Sequence, residues 1–354
     1  MSTVPQVAAH TPDHGPRPRV LSVALARSSA EPWWWRHVDH DMLDVDLDYT
    51  LVVDAEGRPR SMLSLRFWHM ALGVVRVLWR ARRRGDAYVM TGECDWTSFI
   101  IAGVQTLFGM RRPRHVIVQF IMRERNERLL SRAKYAFMRW CFTSVDLCVC
   151  SARLECDYYA EAFRWAPAKL AYVPFHTDPR FLDIPTEDGA YAVSAGRSFR
   201  DYDTLLDAWE GIEMPLHIVG YKGNRLAPPG VNLTRGLPLD ELTRLIAGSG
   251  IVVLPLEDRQ ISIGQSVLLQ AMAMGKAVVA TRVNGTVDYL THMTTGLLVP
   301  PGDPAALRAA VRLLASDGAL RRRLAAAALE QVKRSHLVSH YMQGVTRVLD
   351  RRAR

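Results

Sequence analysis

The stretch that decides the fold is residues 251–286, IVVLPLEDRQISIGQSVLLQAMAMGKAVVATRVNGT. It opens with an apolar strand over 251–256, passes through a polar loop, and continues with apolar residues at helical spacing as far as Gly275. A second apolar strand, AVVAT (277–281), follows at once. This order predicts a βαβ unit of a parallel sheet. The helix would begin at Gly264–Ser266, so its free N–H groups would form an anion site at the carboxyl edge of the sheet.

Five motifs in the second half of the chain keep the order and spacing of one known family. They are YVPFHTDPRF, SAGRSFRDYDTLL, LLQAMAMGKAVVAT, NGTVDYL and TGLLVPPGDPAAL. The agreement in order and spacing covers about 172–332. In this region the chain resembles family-4 retaining glycosyltransferases, which have the GT-B fold. The resemblance implies an α/β protein with two doubly wound, Rossmann-like domains that face each other across a cleft. The first half agrees with that family only in its general layout.

Alternation of strands and helices in both halves predicts two domains, and 354 residues suffice for two cores. We expect a flexible polar tail over 1–17, an acceptor-binding domain over 18–173 and a donor-binding domain over 174–336. The resemblance further implies that a last helix, about 337–352, crosses back onto the first domain. No run of apolar residues is long enough to span a bilayer.

The resemblance places a diphosphate site at Gly196, Arg197 and Arg200. Arg197 matches a family arginine, and Arg200 falls where the family has a lysine. Fixed cations in a water-poor cleft would stabilise the charge that develops on a departing nucleoside diphosphate. The alternative is a surface loop whose arginines are solvated or are paired with Asp201 and Asp203.

Two signature glutamates of the family are absent, because Ser262 and Gln270 stand at their positions. In the family the first glutamate lies beside the transferred sugar and the second accepts hydrogen bonds from the ribose. Glutamine keeps an acceptor but loses the charge, whereas serine is too short to replace glutamate. Either the contact with the sugar has changed, or activity is reduced or lost. Gly264, Gln265 and Ser266 should still offer backbone N–H groups to the phosphates.

Other candidate donor contacts follow the two strands of the unit. Glu257, beside Asp258, could supply a carboxylate from the loop, or could belong to an ordinary polar loop. Asn284 and Gly285 close the second βα turn with Asp288, which stands where the family has a glutamate near the donor. In the first half, Gln119 falls where the family commonly has a histidine.

The formal net charge of +9 comes from arginines that cluster in the first half. One cluster ends a helix at 84, and a second, at 111–114, precedes a strand. A third lies along a helix predicted over 125–142, which also carries Trp and Phe. Such helices either pack in the core and solvate their basic face, or dock on anionic lipid. Trp33–Trp35 could likewise pack, shape an acceptor pocket or touch a membrane. The motifs of nucleic-acid-binding proteins are absent.

The cysteines and the acidic histidine-rich turn do not indicate a metal site. Five cysteines without paired spacing are typical of buried thiols in a reducing cytoplasm. His37, Asp39, His40 and Asp41 have neither zinc-helix nor calcium-loop spacing, so we interpret them as a solvated turn.

From the resemblance we expect a cytoplasmic retaining glycosyltransferase, which could lie at the inner face of the membrane. It would use a UDP- or GDP-linked sugar as substrate, need neither metal nor cofactor, and glycosylate a glycan, lipid-linked or small-molecule acceptor. Two alternatives stay open: a non-catalytic donor-binding scaffold or partner subunit with a decayed site, and an epimerase or carbon–nitrogen bond-forming relative on the same fold.

Overall fold

The structure, a computed structural model, describes residues 17–26, 34–53, 64–92 and 95–353. Trp33, Cys94 and nearly all of the expected tail lie outside these residues. Two six-stranded sheets, in which every strand pairs in parallel with its neighbours, organise the described chain. This is the α/β architecture of two doubly wound domains that the sequence predicts.

The N-terminal sheet has the strand order β2-β1-β3-β4-β5-β6. Its strands are β1 Arg19–Ala26, β2 Asp46–Val53, β3 Tyr88–Thr91, β4 Arg114–Ile117, β5 Val145–Cys150 and β6 Leu170–Tyr172. One helix follows each of the strands β2, β3, β4 and β5. In that order they are α1 Leu65–Arg84, α2 Trp96–Leu107, α3 Leu129–Cys141 and α4 Arg153–Phe163. Because successive connections run in the same direction across the sheet, right-handed crossovers place these four helices on one face.

The two faces of the N-terminal sheet are covered by different parts of the chain. Ile117 and Cys148 pack with α2, α3 and α4, whereas Leu147 and Val149 pack with the last helix, α11 Val338–Ala353. Cys141, Cys148 and Cys150 are buried free thiols in the first of these layers, and Cys156 is half-buried. The crossover helix implied by the resemblance therefore lies on the N-terminal sheet.

The C-terminal sheet has the strand order β12-β11-β10-β7-β8-β9. Its strands are β7 Ala192–Ala195, β8 Leu216–Val219, β9 Val231–Thr234, β10 Ile251–Leu254, β11 Ala277–Thr281 and β12 Leu297–Val299. Its helices are α5 Tyr202–Trp209, α6 Leu239–Ala247, α7 Gln265–Ala273, α8 Asn284–Val287, α9 Pro304–Ser316 and α10 Gly318–Ser335. The unit β10-α7-β11 is the βαβ unit that residues 251–286 predict, and β10 pairs with β11 in parallel.

The structure corrects three expectations about individual elements. The basic helix over 125–142 is shorter, because α3 begins after Arg128, whose backbone is extended. The run HVIVQF predicts a strand over 115–120, but β4 ends at Ile117, and Gln119 has a left-handed backbone with φ +53. Helix α10 was not expected; it buries Leu324 and Ala328 against the C-terminal domain.

The region around the tryptophans forms turns that pack on the N-terminal core. The Trp35 ring lies 4.1 Å from that of His40 and 4.6 Å from that of Tyr49. The Asp39 carboxylate accepts a hydrogen bond from the Asp41 backbone N–H at 3.1 Å.

Among the described residues, no group of three or more His, Cys, Asp and Glu side chains could hold a metal ion. No described helix has the length and apolar character needed to cross a bilayer.

Candidate functional site

A cavity of about 430 Å³ lies between the two domains, beyond the carboxyl ends of β4, β5, β7 and β10. The C-terminal domain contributes Arg197, Arg200, Ser262, Gly264, Gln265 and Ser266 to its wall. The N-terminal domain contributes Gln119, Ile121 and Ser151. The structure thus brings together six of the residues that the sequence singled out, although they come from two separate loops.

Arg200 is a desolvated cation at the wall of this cavity. Its Nε donates to the Ala195 carbonyl at 3.1 Å and its Nη1 donates to the Ser198 carbonyl at 3.0 Å. The guanidinium lies against Gly196, where an added Cβ would come 2.5 Å from Nε. Burial lowers the pKa of Arg200, and no carboxylate among the described residues pairs with it. The loop therefore holds a fixed charge that faces the cavity.

Arg197 lies at the same wall but is exposed. Its Nη2 reaches over Gly236, where an added Cβ would meet that atom at 2.6 Å. The two nearby acids are engaged elsewhere. The Asp201 carboxylate caps α5 by accepting from the Thr204 N–H at 3.1 Å, and Asp203 pairs with Arg225 at 3.7 Å. Asp201 and Asp203 therefore do not neutralise Arg197 and Arg200, as that alternative would require.

The start of α7 opens into the cavity. Gly264 is left-handed, with φ +87, and an added Cβ would lie 2.9 Å from Leu256 Cδ1, so glycine is required there. Gln265 is the first residue of α7 and is only 7% exposed, yet its buried Nε2 has no hydrogen-bond partner among the residues that the structure describes. A buried donor without a partner is costly unless a ligand satisfies it. The helix start thus offers backbone and side-chain N–H groups to an anion.

Ser262 contacts a carboxylate that sequence reasoning missed. Its N–H donates to Glu155 Oε1 at 3.0 Å, and its Oγ donates to Glu155 Oε2 at 2.6 Å. Glu155 belongs to α4 of the N-terminal domain and is fully buried. The Ser151 N–H, also at the cavity wall, donates to Oε2 at 3.2 Å. Only the fold could reveal this contact, because it joins residues 107 positions apart.

Two other candidates lie outside the cavity wall. Gln270 is buried, and its Nε2 donates to Thr243 Oγ1 of α6 at 3.2 Å. The Glu257 carboxylate accepts from Arg259 Nε at 2.9 Å. Arg259 also pairs with Glu124 of the N-terminal domain at 3.2 Å. Glu257 therefore joins an ion-pair network between the domains rather than facing the cavity.

The second βα turn supports the loop that carries Ser262. Asn284 Nδ2 donates to the Gln260 carbonyl at 3.0 Å. An added Cβ at Gly285 would come 2.2 Å from the Ile263 carbonyl oxygen, so this close approach requires glycine. The Asp288 carboxylate accepts from the Arg153 N–H at 2.8 Å, at the start of α4. These three residues position the cavity wall and the domain contact without lining the cavity.

Gln119 is the N-terminal residue with the most constrained position in the cavity. Its left-handed backbone is held by the Tyr341 hydroxyl, which accepts from the Gln119 N–H at 3.2 Å. Its Nε2 donates to His176 Nε2 at 3.0 Å. Burial lowers the pKa of His176 to about 4, so the imidazole is neutral at pH 7. A histidine is thus present beside the cavity, but it comes from the segment between the domains.

Comparison with known proteins identifies the fold. The family model for "Glycosyl transferases group 1" matches residues 191–317. This segment is therefore similar to that family, and the chain has the GT-B architecture of the solved structures that superpose on it. Anabaena HepE, solved with UDP, superposes with a TM-score of 0.67 at 14% identity, over 94% of this chain and 100% of that one. A sucrose-phosphate synthase from Thermosynechococcus elongatus gives 0.66 at 15% identity, over 95% and 99%.

Relatives in sequence match a shorter part of the chain. A D-rhamnosyltransferase of Pseudomonas aeruginosa is 30% identical over 132 residues, which is 34% of each chain. A D-inositol 3-phosphate glycosyltransferase of Nocardioides sp. is 32% identical over 115 residues, 32% of this chain and 24% of that one. The chain spans about a third or less of the length of these relatives in the alignments.

Proposed function

We propose that the protein is a retaining glycosyltransferase of family 4 that transfers a sugar from a nucleoside diphosphate to an acceptor hydroxyl. The observation that carries the proposal is the convergence of Arg197, Arg200 and the α7 start on one cavity between the domains. Both arginines and the unpartnered Gln265 Nε2 are suited to a diphosphate. Residues 18–173 with α11 would hold the acceptor, and residues 174–336 the donor.

The chemistry follows from charge placement. As the bond from the sugar to the diphosphate breaks, negative charge grows on the leaving oxygen, and we propose that Arg200, held by the Ala195 and Ser198 carbonyls, stabilises that charge. A front-side reaction, in which the leaving phosphate oxygen takes the acceptor proton, suits this wall and retains the anomeric configuration. The arginines and the helix start supply positive charge, so we propose that transfer is metal-independent and requires no cofactor.

The donor is the part of the proposal that is tested first. We propose a UDP- or GDP-sugar; HepE, which shares the fold, has been solved with UDP and with UDP-glucose. Thermal unfolding should be followed with UDP, GDP, ADP and dTDP and with their sugars. A donor at a hundredfold above its Kd should add about 2.7 kcal/mol of stability. Arg197→Ala should lose this shift, and Arg323→Ala, on the outside of α10, should keep it.

A second candidate, a donor-binding scaffold or partner subunit, is favoured by the loss of both signature glutamates at Ser262 and Gln270. Such a protein would bind the donor without consuming it. NMR of the anomeric proton during incubation with the stabilising donor and simple hydroxyl acceptors separates the two. A glycoside with the donor's configuration supports the retaining enzyme, and the opposite configuration contradicts retention. Donor that stays intact while bound supports the scaffold.

We further propose that the protein works in the cytoplasm, at the inner face of the membrane, on an anionic or lipid-linked acceptor. The outer face of α1–α3 supports this partner. Trp68 is 59% exposed and Trp79 is 48% exposed; Arg76 lies between them in the sequence, and Arg80 and Arg83 follow Trp79. The three helices contain neither Asp nor Glu. We call this the basic–aromatic face; its exposed apolar members are Leu65, Trp68, Leu72, Trp79, Leu107, Phe108, Leu129, Leu130, Phe137 and Trp140.

Arginine with tryptophan on one exposed face is typical of contact with anionic lipid. We expect the protein to sediment with vesicles that contain phosphatidylglycerol, and not with vesicles of phosphatidylcholine alone. Trp79→Ser and Arg83→Ser should each weaken binding about fivefold, the effect of about 1 kcal/mol at the surface. Leu226→Ser is the matched control, since Leu226 is 93% exposed in the C-terminal domain. Equal sedimentation of all variants would remove the membrane from the proposal.

A further inference from the structure

We infer that Glu155 and Ser262 together replace the missing signature glutamate: Glu155 fixes the Ser262 hydroxyl as a hydrogen-bond acceptor for the transferred sugar. The inference rests on the proposed function and assigns a positioning role to a residue of the opposite domain. Ser262 would touch the sugar, and Glu155 would act through it.

The hydrogen bonds at Glu155 indicate their direction. Its two oxygens receive hydrogen bonds from Ser262 N, Ser262 Oγ and Ser151 N. Burial raises the pKa of Glu155, and these hydrogen bonds oppose that rise because they stabilise the charged form. In the ionised form, which the backbone N–H donors favour, the Ser262 hydroxyl, 2.6 Å from Oε2, donates to the carboxylate. Because its one proton is used in this bond, Ser262 can offer only lone pairs to a ligand in the cavity.

This polarity is that of the residue which the family has at position 262. A glutamate there accepts hydrogen bonds from a sugar, and a free serine could either donate or accept. The pair places a hydrogen-bond acceptor, the Ser262 oxygen, at the cavity wall. The negative charge lies behind it, on Glu155. Glu155 is fully buried, whereas Ser151 and Ser262 line the cavity. The carboxylate therefore comes from the N-terminal domain here, instead of from position 262 in the C-terminal domain. The two domains form the hydrogen-bond acceptor together.

The surrounding structure keeps the pair in register. The loop that carries Ser262 is anchored on one side by Asn284, whose Nδ2 donates to the Gln260 carbonyl. On the other side, the Gln260 N–H donates to the Glu124 carboxylate. The start of α4 is fixed by Asp288, which accepts from the Arg153 N–H. A hydroxyl held between two anchored elements is pre-organised, which is the condition for a small group to be selective.

The test measures the affinity that the sugar adds. Dissociation constants for the nucleoside diphosphate and for its sugar are measured with the donor that stabilises the wild type. Ser262→Ala removes the hydroxyl and keeps both backbone hydrogen bonds to Glu155. Glu155→Gln replaces one acceptor oxygen with a donor at similar size. Each should weaken binding of the nucleotide-sugar about tenfold and leave binding of the bare diphosphate within about twofold.

Because the two residues act as one group, the double variant should be no weaker than either single variant. Loss in Ser262→Ala but not in Glu155→Gln would overturn the assignment, since Ser262 would then act alone. Equal weakening of diphosphate and nucleotide-sugar would also overturn it, because Glu155 would then only join the domains. If no nucleotide stabilises the wild type, the proposed function fails, and the assignment fails with it.

Discussion

The N-terminal and C-terminal domains are built on one plan, a six-stranded parallel sheet with helices on both faces, but their polar and apolar residues are placed differently. In the C-terminal domain, Arg200 and the polar start of α7 line the cavity. In the N-terminal domain the arginines of α1 and α3 lie on the outside, among exposed aromatic rings. Under the proposed function, the same fold would serve a small anion at one sheet edge and a large anionic surface on its helices.

The largest effect should come from the internal cation of the C-terminal domain. Under the proposed function, Arg200→Ala removes the cation that would stabilise the leaving group, and we expect a loss of about 10²–10³-fold in kcat/KM with the stabilising donor. Release of the nucleoside diphosphate measures it. The exposed Arg323→Ala again serves as the control, and urea unfolding verifies that Arg200→Ala is folded. Unchanged turnover in a folded variant would show that the cavity charge is not where the reaction occurs.

The contact between the domains should give the next largest effect. Glu155→Ala leaves the Ser262 and Ser151 N–H groups buried without an acceptor. We expect a loss of about 2–3 kcal/mol in the free energy of unfolding, measured in urea. Glu161→Ala, on the exposed side of the same helix, is the matched control and should change stability by less than about 0.5 kcal/mol. If both variants are equally stable, the buried carboxylate does not hold the domains together.

These two residues also show how much the sequence can reveal. Arg200 is a candidate through the family resemblance, whose motif GRSFR lies within one segment between a strand and a helix. The βαβ unit of 251–286 is predictable from the residues themselves, since its apolar periodicity and its glycines are read along one segment. The opening of α7 at Gly264–Ser266 follows from that segment alone.

Glu155 was not predictable, because nothing near it in the chain distinguishes it from an exposed helical glutamate. Its role comes from Ser262, 107 residues later, and that contact depends on how two domains meet. The resemblance likewise places Gln270, Glu257 and Asp288 near the donor, whereas the structure positions them against Thr243, Arg259 and Arg153. Of these three contacts, only the one between Asp288 and Arg153 joins the domains, because Thr243 belongs to α6 of the same domain and Arg259 is two residues from Glu257.

Acid should affect the N-terminal domain through His115. This histidine is fully buried, and its Nε2 lies 3.1 Å from Thr91 Oγ1. Burial lowers its pKa from 6.5 to about 3. Between these values the unfolded chain binds a proton that the folded chain does not, so stability is complete above pH 6.5 and falls with decreasing pH. The cost is about 1.4 kcal/mol per pH unit, or about 2 kcal/mol at pH 5.

Urea unfolding at pH 7 and pH 5 measures this loss. His115→Gln cannot take up the proton, so its loss should be smaller by about 2 kcal/mol, although His176 still contributes because burial lowers its pKa to about 4. His69→Gln, on the exposed side of α1, should lose as much as the wild type. A pH dependence of His115→Gln that matches the wild type would mean that His115 is protonated in the folded protein.

The smallest effect on stability should come from the basic–aromatic face. Trp68 and Trp79 each leave about half of their surface in water, so serine at these positions removes about half of the buried area that a core tryptophan contributes. We expect each variant to lower the free energy of unfolding by about 1–2 kcal/mol, whereas truncation of the fully buried Trp209 in the C-terminal domain to alanine should cost about 3–5 kcal/mol. Urea unfolding without lipid measures both. A loss at Trp68 or Trp79 as large as that at Trp209 would place these rings in the fold rather than at a partner. A smaller loss leaves about half of each ring for a contact outside the chain, and an anionic bilayer would complement the arginines beside Trp79.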